Sequence, residues 1–101
     1  MSQSALPAEP ARPTYSLTAK FSVLADADPN VTSRLLELFA LRGLVPLKVS
    51  SSRFNNGTLV TRILVNEISE SDAHVLASKL RQCVMVSEVG LEFQFSAARS
   101  G

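Results

Sequence analysis

Between Tyr15 and Val23 the chain alternates without a break: Tyr15, Leu17, Ala19, Phe21 and Val23 are apolar or aromatic, while Ser16, Thr18, Lys20 and Ser22 are polar. Successive side chains of a β-strand point to opposite faces, so this period of two specifies a strand with one face in a core and the other in water. Such a strand needs partner strands and a layer to cover its apolar side. The rest of the chain supplies both. Val31, Leu35, Leu38 and Phe39 recur at steps of three and four, with Thr32, Arg34 and Glu37 on another side, which predicts a helix ending near Arg42 with Gly43 as its stop. The segment Asp26 to Asn30 before it is rich in turn formers; Pro29 suits a helix opening and Asp28 is a candidate cap.

After Pro46, Leu47 and Val49 alternate with Lys48 and Ser50 as a second strand. Asn55, Asn56 and Gly57 read as a hairpin turn, and Leu59, Thr61, Ile63 and Val65 form one face of a third strand, paired antiparallel with the second. Ser69 stands three residues before Asp72, a variant capping box, and Ala73, Leu76, Ala77 and Leu80 follow at helical spacing. A last strand starting near Met85 or Ser87 places Val89, Leu91, Phe93 and Phe95 opposite Glu88, Glu92 and Gln94. The order β-α-β-β-α-β predicts an α+β, ferredoxin-like fold: a four-stranded antiparallel sheet in the order 4-1-3-2 with both helices on one face. Leu17, Phe21, Val23, Leu35, Leu38, Phe39, Ile63, Val65, Leu76, Leu80, Leu91 and Phe93 are the expected core. Residues 1–14 hold three prolines (Pro7, Pro10, Pro13) and no apolar period, so a flexible leader is expected there, then a domain over 15–95 and a tail over 96–101.

At 101 residues the chain holds one domain, and 46% hydrophobic residues suffice for an ordinary core. Ten Lys and Arg against nine Asp and Glu leave no strong field to attract nucleic acid or an anionic membrane. A lone Cys83 and a lone His74 cannot build a disulfide framework or a Cys/His zinc site, so neither metal nor cofactor is expected. No apolar run nears 18 residues and the N-terminus lacks a signal-peptide pattern, which reads as cytoplasmic. Catalytic candidates are thin. His74 has Glu70 one turn back as a surface partner, Cys83 beside Val84 reads as a packing residue, and glycines at 43, 57, 90 and 101 cannot form a phosphate loop. Asp26 and Asp28 read as caps for a helix start. A base-stacking sheet needs aromatic side chains on its open face, where the alternation instead leaves Ser16, Thr18, Lys20 and Ser22. Lys20, Lys48 and Arg62 share that face as a solvated basic patch.

The string Asp28-Pro29-Asn30-Val31-Thr32-Ser33-Arg34-Leu35-Leu36-Glu37-Leu38-Phe39-Ala40-Leu41-Arg42-Gly43, together with the order of elements over residues 15–95, resembles the ACT domain, and in particular the short single-domain form of the acetolactate synthase small subunit. The resemblance implies a non-catalytic regulatory module of branched-chain amino acid biosynthesis. It would form a homodimer by edge pairing, bind an amino acid between subunits, and control a separate catalytic subunit. The candidate effector residues are Asp28, Asn30, Val31, Leu35 and Val45, in a pocket between the Asp26–Val31 loop of one subunit and the end of the first helix plus Leu44–Leu47 of the other, where the helix start offers N–H donors to a carboxylate and Val31, Leu35 and Val45 an apolar wall. The candidate dimer edge is Leu47, Val49, Ser51 and Arg53. Relatives carry glycine where this chain has Asn30, and valine-responsive members carry asparagine where it has Ala27 and Val45, which implies altered selectivity and not tight valine binding.

Two other functions fit the same topology. A small acylphosphatase-like enzyme would need an arginine in an anion-binding loop before the first helix, and residues 25–30 supply none. A nucleic-acid-binding sheet would need the surface aromatics and the excess positive charge that this chain lacks.

Overall fold

The computed structural model describes the backbone of residues 15–97; the expected leader, the end of the expected tail and the inward face expected of the Tyr15 side chain lie outside the described residues. The elements run β1 (Tyr15–Asp26), α1 (Val31–Leu41), β2 (Lys48–Arg53), β3 (Thr58–Asn66), α2 (Glu70–Arg81) and β4 (Val86–Ala97). The strands form one antiparallel sheet in the order β2-β3-β1-β4, the predicted ferredoxin-like arrangement. The domain boundary expected at residue 95 falls inside β4. Ala97 pairs with Tyr15, so β4 runs beside β1 over the whole of the described strand.

Register follows the alternation. Phe21 lies between Ile63 and Leu91, Ala19 between Val65 and Phe93, and Val23 between Thr61 and Val89, which places the apolar sets of β1, β3 and β4 on one face. Both helices cover that face. α1 buries Val31, Leu35 and Phe39, and α2 buries Ala73, Leu76, Ala77 and Leu80. The Phe39 ring meets Phe21 edge to face at 5.2 Å, a geometry that sets the positive ring edge against the negative ring face. Thr61 is a polar side chain on the core side, and its hydroxyl is bonded to Ser51 Oγ at 2.9 Å, so its burial leaves no orphaned group.

Four expected core residues, Leu17, Leu38, Leu91 and Phe93, are only half-buried. In α1 the buried line runs Val31, Leu35, Phe39 at steps of four, which leaves Leu38 on its flank. Leu91 and Phe93 sit on β4, a sheet edge with a neighbour strand on one side only. His74 is exposed and packs its ring against Phe93 at 5.6 Å; its expected contact with Glu70 is absent. Cys83 is half-buried just past α2, with Sγ directed to the Lys79 carbonyl at 3.8 Å.

Helix ends differ in how they are satisfied. Ser69 Oγ accepts from the Asp72 N–H at 3.0 Å, the predicted cap of α2, while the Asp72 carboxylate turns to Arg42 at the end of α1, 3.7 Å away. α1 closes on Gly43 at φ 72°, a left-handed position that only glycine adopts without strain. Gly57 at φ 84° does the same for the β2–β3 hairpin.

Candidate functional site

The end of β1 is shaped by a bulge. Leu24 faces Glu88 but Ala25 faces Val86, so Ser87 is the extra residue, and its hydroxyl donates to the Leu24 carbonyl at 3.1 Å. A bulge bends its strand and redirects the neighbouring chain. Here the bulged strand is β4, opposite the last residues of β1 before the β1–α1 loop. The Ala27 N–H donates to the Gly57 carbonyl at 2.9 Å, which ties this loop to the β2–β3 hairpin.

Within the loop, Asp28 does something other than the expected helix cap. Its Oδ1 accepts from the Asn30 N–H at 2.8 Å and its carbonyl accepts from the Val31 N–H at 3.1 Å, so it closes a side-chain-mediated turn just ahead of the helix. Asn30 is the N-cap residue, yet its φ and ψ of −96° and −5° are right-handed and its side chain makes no cap bond. Capping needs an extended backbone at this position to swing the side chain under the first helical N–H groups.

The candidate effector residues separate into four groups. Val31 and Leu35 belong to the core and are about as buried as any residue in the molecule, so the expected apolar wall for a ligand is corrected on this point. Their spacing of four matches the buried line of α1, which is why the same residues suit both readings in sequence. Asp28 lines a hollow of about 210 Å³ with Ala27, Pro29, Arg53 and Leu59. Asn30 lies on a different depression, of about 420 Å³, along the exposed side of α1 with Ser33, Arg34 and Glu37. Val45 is 84% exposed in the α1–β2 connection and takes no part in either.

Arg53, expected only as a member of the dimer edge, has a second place. It pairs with Leu59, which in turn pairs with Ala25, so its row crosses the sheet to the last turn of β1. Its side chain borders the Asp28 hollow and a neighbouring one of about 330 Å³ made with Ala27, Phe54, Asn55 and Gly57. The hairpin glycine is the sequence signal that could have found it, because counting the ladder outward from Gly57 sets Arg53 level with the end of β1.

The edge residues Leu47, Val49, Ser51 and Arg53 are all exposed; Leu47 precedes β2 and the other three lie within it. β2 is an edge strand. Phe54 N–H donates to the Thr58 carbonyl at the hairpin. Counting back in twos along an antiparallel ladder then turns the N–H and C=O groups of Val49, Ser51 and Arg53 away from β3. Leu41, the last residue of α1, is 75% exposed, and Val45 and Leu47, 84% and 60% exposed, lie in the connection that leads into this open edge. The other edge, β4, is treated differently: Arg81 of α2 reaches across to donate to the Val89 carbonyl at 3.4 Å. On the open sheet face Lys20, Lys48 and Arg62 are present as expected, but Lys20 is paired with Glu92 at 3.1 Å, which offsets part of the charge of that patch. No described helix is long and apolar enough to cross a membrane.

A βαββαβ chain folded as one antiparallel sheet in the order β2-β3-β1-β4 with two helices on one face belongs to the ferredoxin-like class of fold. The family model of the ACT-like domain matches residues 12–98, and the chain belongs to that family. Among curated proteins none matches it in sequence. Solved structures similar to it include the ACT domain from the GTP pyrophosphokinase of Chlorobium tepidum, 12% identical with a TM-score of 0.66, covering 76% of this chain and 99% of that one. The C-terminal domain of the MgtC protein from Mycobacterium tuberculosis is similar at 8% identity and a TM-score of 0.64, covering 77% of this chain and 87% of that one. The regulatory subunit of aspartate kinase from Thermus thermophilus is similar at 13% identity and a TM-score of 0.55, over 81% of this chain and 54% of that one. At these identities the likeness is one of fold.

Proposed function

We propose that this chain is a non-catalytic regulatory subunit that works as a homodimer through β2, holds a small amino-acid effector beside the β1–α1 loop, and modulates a separate enzyme. The observation that carries the proposal is the asymmetry of the sheet edges. β2 offers unpaired backbone groups with exposed Val45 and Leu47 in the segment leading into it, whereas β4 has a carbonyl occupied by Arg81. An unprotected edge strand is a template for another strand, and a two-fold axis makes that contact self-complementary. Antiparallel pairing of two β2 strands sets the Arg53 end of one protomer against the Lys48 end of the other. The Ala27–Asn30 loop then faces the partner segment 44–47, which contributes Val45 to the wall that Val31 and Leu35 do not supply.

The finer assignment, modulation of acetolactate synthase in branched-chain amino acid biosynthesis, rests on the resemblance of the 28–43 string and on no structural neighbour. A thermal-shift screen with branched-chain and other amino acids, paired with sedimentation velocity at tens of micromolar, tests the reading. A dimer whose Tm rises in millimolar amino acid is the expected result. A concentration-independent monomer, or a dimer indifferent to every amino acid, contradicts it. Addition of the chain to an acetolactate synthase catalytic subunit tests the finer assignment, which predicts a change in its activity or effector response.

A further inference from the structure

The sheet face away from the helices carries a hollow of about 240 Å³, lined by Ser22, Val23, Leu24, Val60, Glu88 and Gly90. Its cause is a missing side chain: Gly90 pairs with Ser22 in the register of β4 on β1, so neither strand sends anything bulky outward there. A glycine inside a strand often marks a place where another chain approaches closely. The fold itself does not require this one, since its φ is not left-handed and an added Cβ would meet only Ser22, at an ordinary 3.9 Å. Charge is divided across the same face. Glu88 and Glu92 lie on β4, whereas Arg62 and Lys48 lie on β3 and β2, at the far side of β1. Lys20 on β1 is held by Glu92 at 3.1 Å, but no ion pair among the described residues takes up Glu88 or Arg62, both of which are exposed. Between the two charged zones Leu24 and Val60, paired across β1 and β3, form a half-buried apolar seat.

We infer that this face pairs with the same face of a second copy of the chain, each copy inserting Arg62 into the Gly90 hollow of the other, beside Glu88. The symmetry that achieves this is a two-fold axis parallel to the strands, between β1 and β3. Turning one sheet over about that axis lays β1 on the partner's β3 and β4 on the partner's β2, row by row. Leu24 of one copy then meets Val60 of the other, Arg62 meets the gap over Ser22 and Gly90, and Glu92 meets Lys48. A two-fold axis across the strands sets β4 on β4 and brings Glu88 of one copy against Glu92 of the other, so charge selects the first arrangement. Stacked sheets stand about 10 Å apart, a gap that an extended arginine spans where the residues opposite are serine and glycine. Its guanidinium then makes a charge-assisted pair with a carboxylate shielded from bulk water. The contact uses neither the β2 edge nor the β1–α1 loop, so it joins β2-paired dimers into tetramers and stands independently of the effector reading. With little apolar surface beyond Leu24 and Val60 it is the weaker contact, with a Kd on the order of 100 µM.

Sedimentation equilibrium on the full chain tests it, with Val49→Lys blocking the β2 edge to isolate the face. This parent should pass from monomer at about 20 µM to dimer near about 1 mM at low salt, and added salt should weaken the association. The wild type should pass from dimer to tetramer over the same range. In the Val49→Lys background Arg62→Glu and Glu88→Arg should each weaken association about tenfold or more, and the two together should restore it. Gly90→Thr fills the hollow with a good strand former, so it should abolish the association while leaving the thermal melt unchanged or raised. Failure of the double reversal to recover what the single reversals lose would overturn the pairing of Arg62 with Glu88. Association undiminished in Gly90→Thr would overturn the hollow as the seat. A Val49→Lys chain monomeric at every concentration, together with a wild type that forms nothing larger than a dimer, would overturn the inference whatever else the face binds, and would leave the β2 and effector readings in place.

Discussion

Replacing Phe39 by alanine tests the packing on which every other placement depends. Phe39 is fully buried, lies on the Val31–Leu35–Phe39 line of α1, and meets Phe21 edge to face. Truncating a buried Phe costs about 3 to 5 kcal/mol through lost transfer free energy and the cavity left behind, of which roughly 0.5 to 1.5 kcal/mol belongs to the aromatic pair. A domain of this size has a total stability on the order of 5 to 12 kcal/mol, so the variant should be close to the limit of folding. Leu41, two residues further on the same helix and 75% exposed, is the control; its truncation should cost less than about 0.5 kcal/mol in the monomer. Urea unfolding followed by circular dichroism, at a protein concentration low enough to hold the monomer, reads both. With a slope of roughly 1 to 2 kcal/mol per molar for a small domain, the midpoint of Phe39→Ala should fall by about 1.5 M or more. A loss below about 1 kcal/mol for Phe39→Ala, or equal losses for the two variants, would refute the phase assigned to α1.

Truncation of the half-buried Leu38 should fall between these limits, at about 1 to 2 kcal/mol by urea unfolding, because its side chain packs on the flank of the core. Ser69→Ala removes the hydroxyl that accepts the Asp72 N–H and should lower stability by about 1 kcal/mol in a thermal melt, with Ser69→Asp close to wild type. Val49→Pro takes away an outward-facing N–H near the start of β2 and should shift sedimentation from dimer to monomer, and Val49→Lys should do the same by placing charge on the edge.

Most of the fold is legible in the sequence because alternation and helical spacing are local signals. The period of two in β1 sets the faces of the sheet, and the hairpin at Asn55–Gly57 sets the partnership of β2 with β3. The site is less legible, for physical reasons visible in single residues. Val31 and Leu35 have the spacing of a buried helix line and the chemistry of a ligand wall, and only the direction of the helix axis separates the two. Asp28 could cap a helix or close its own turn, a choice made by the backbone angles at Asn30. Arg53 looks like an edge residue because its neighbours in sequence are; its neighbours in space come from the β1–α1 loop and the hairpin, a long-range register that local pattern does not carry. His74 turns to Phe93 and not to Glu70, since an aromatic face across the helix–sheet interface outweighs an exposed ion pair worth about 0.5 kcal/mol or less.

A homodimer of this chain that binds a small effector does so, on the proposal above, where the β1–α1 loop and the hairpin of one protomer meet the α1–β2 connection of the other. Amide chemical-shift mapping by NMR, titrating the labelled chain with the amino acid that most raises its Tm, addresses both the binding and its location. Saturable shifts should concentrate at residues 26–30, 53–57 and 44–48, with the open-face residues Lys20, Arg62 and Glu92 unmoved. Shifts confined to the open sheet face, or the absence of shifts with every amino acid at millimolar concentration, would contradict the proposed site.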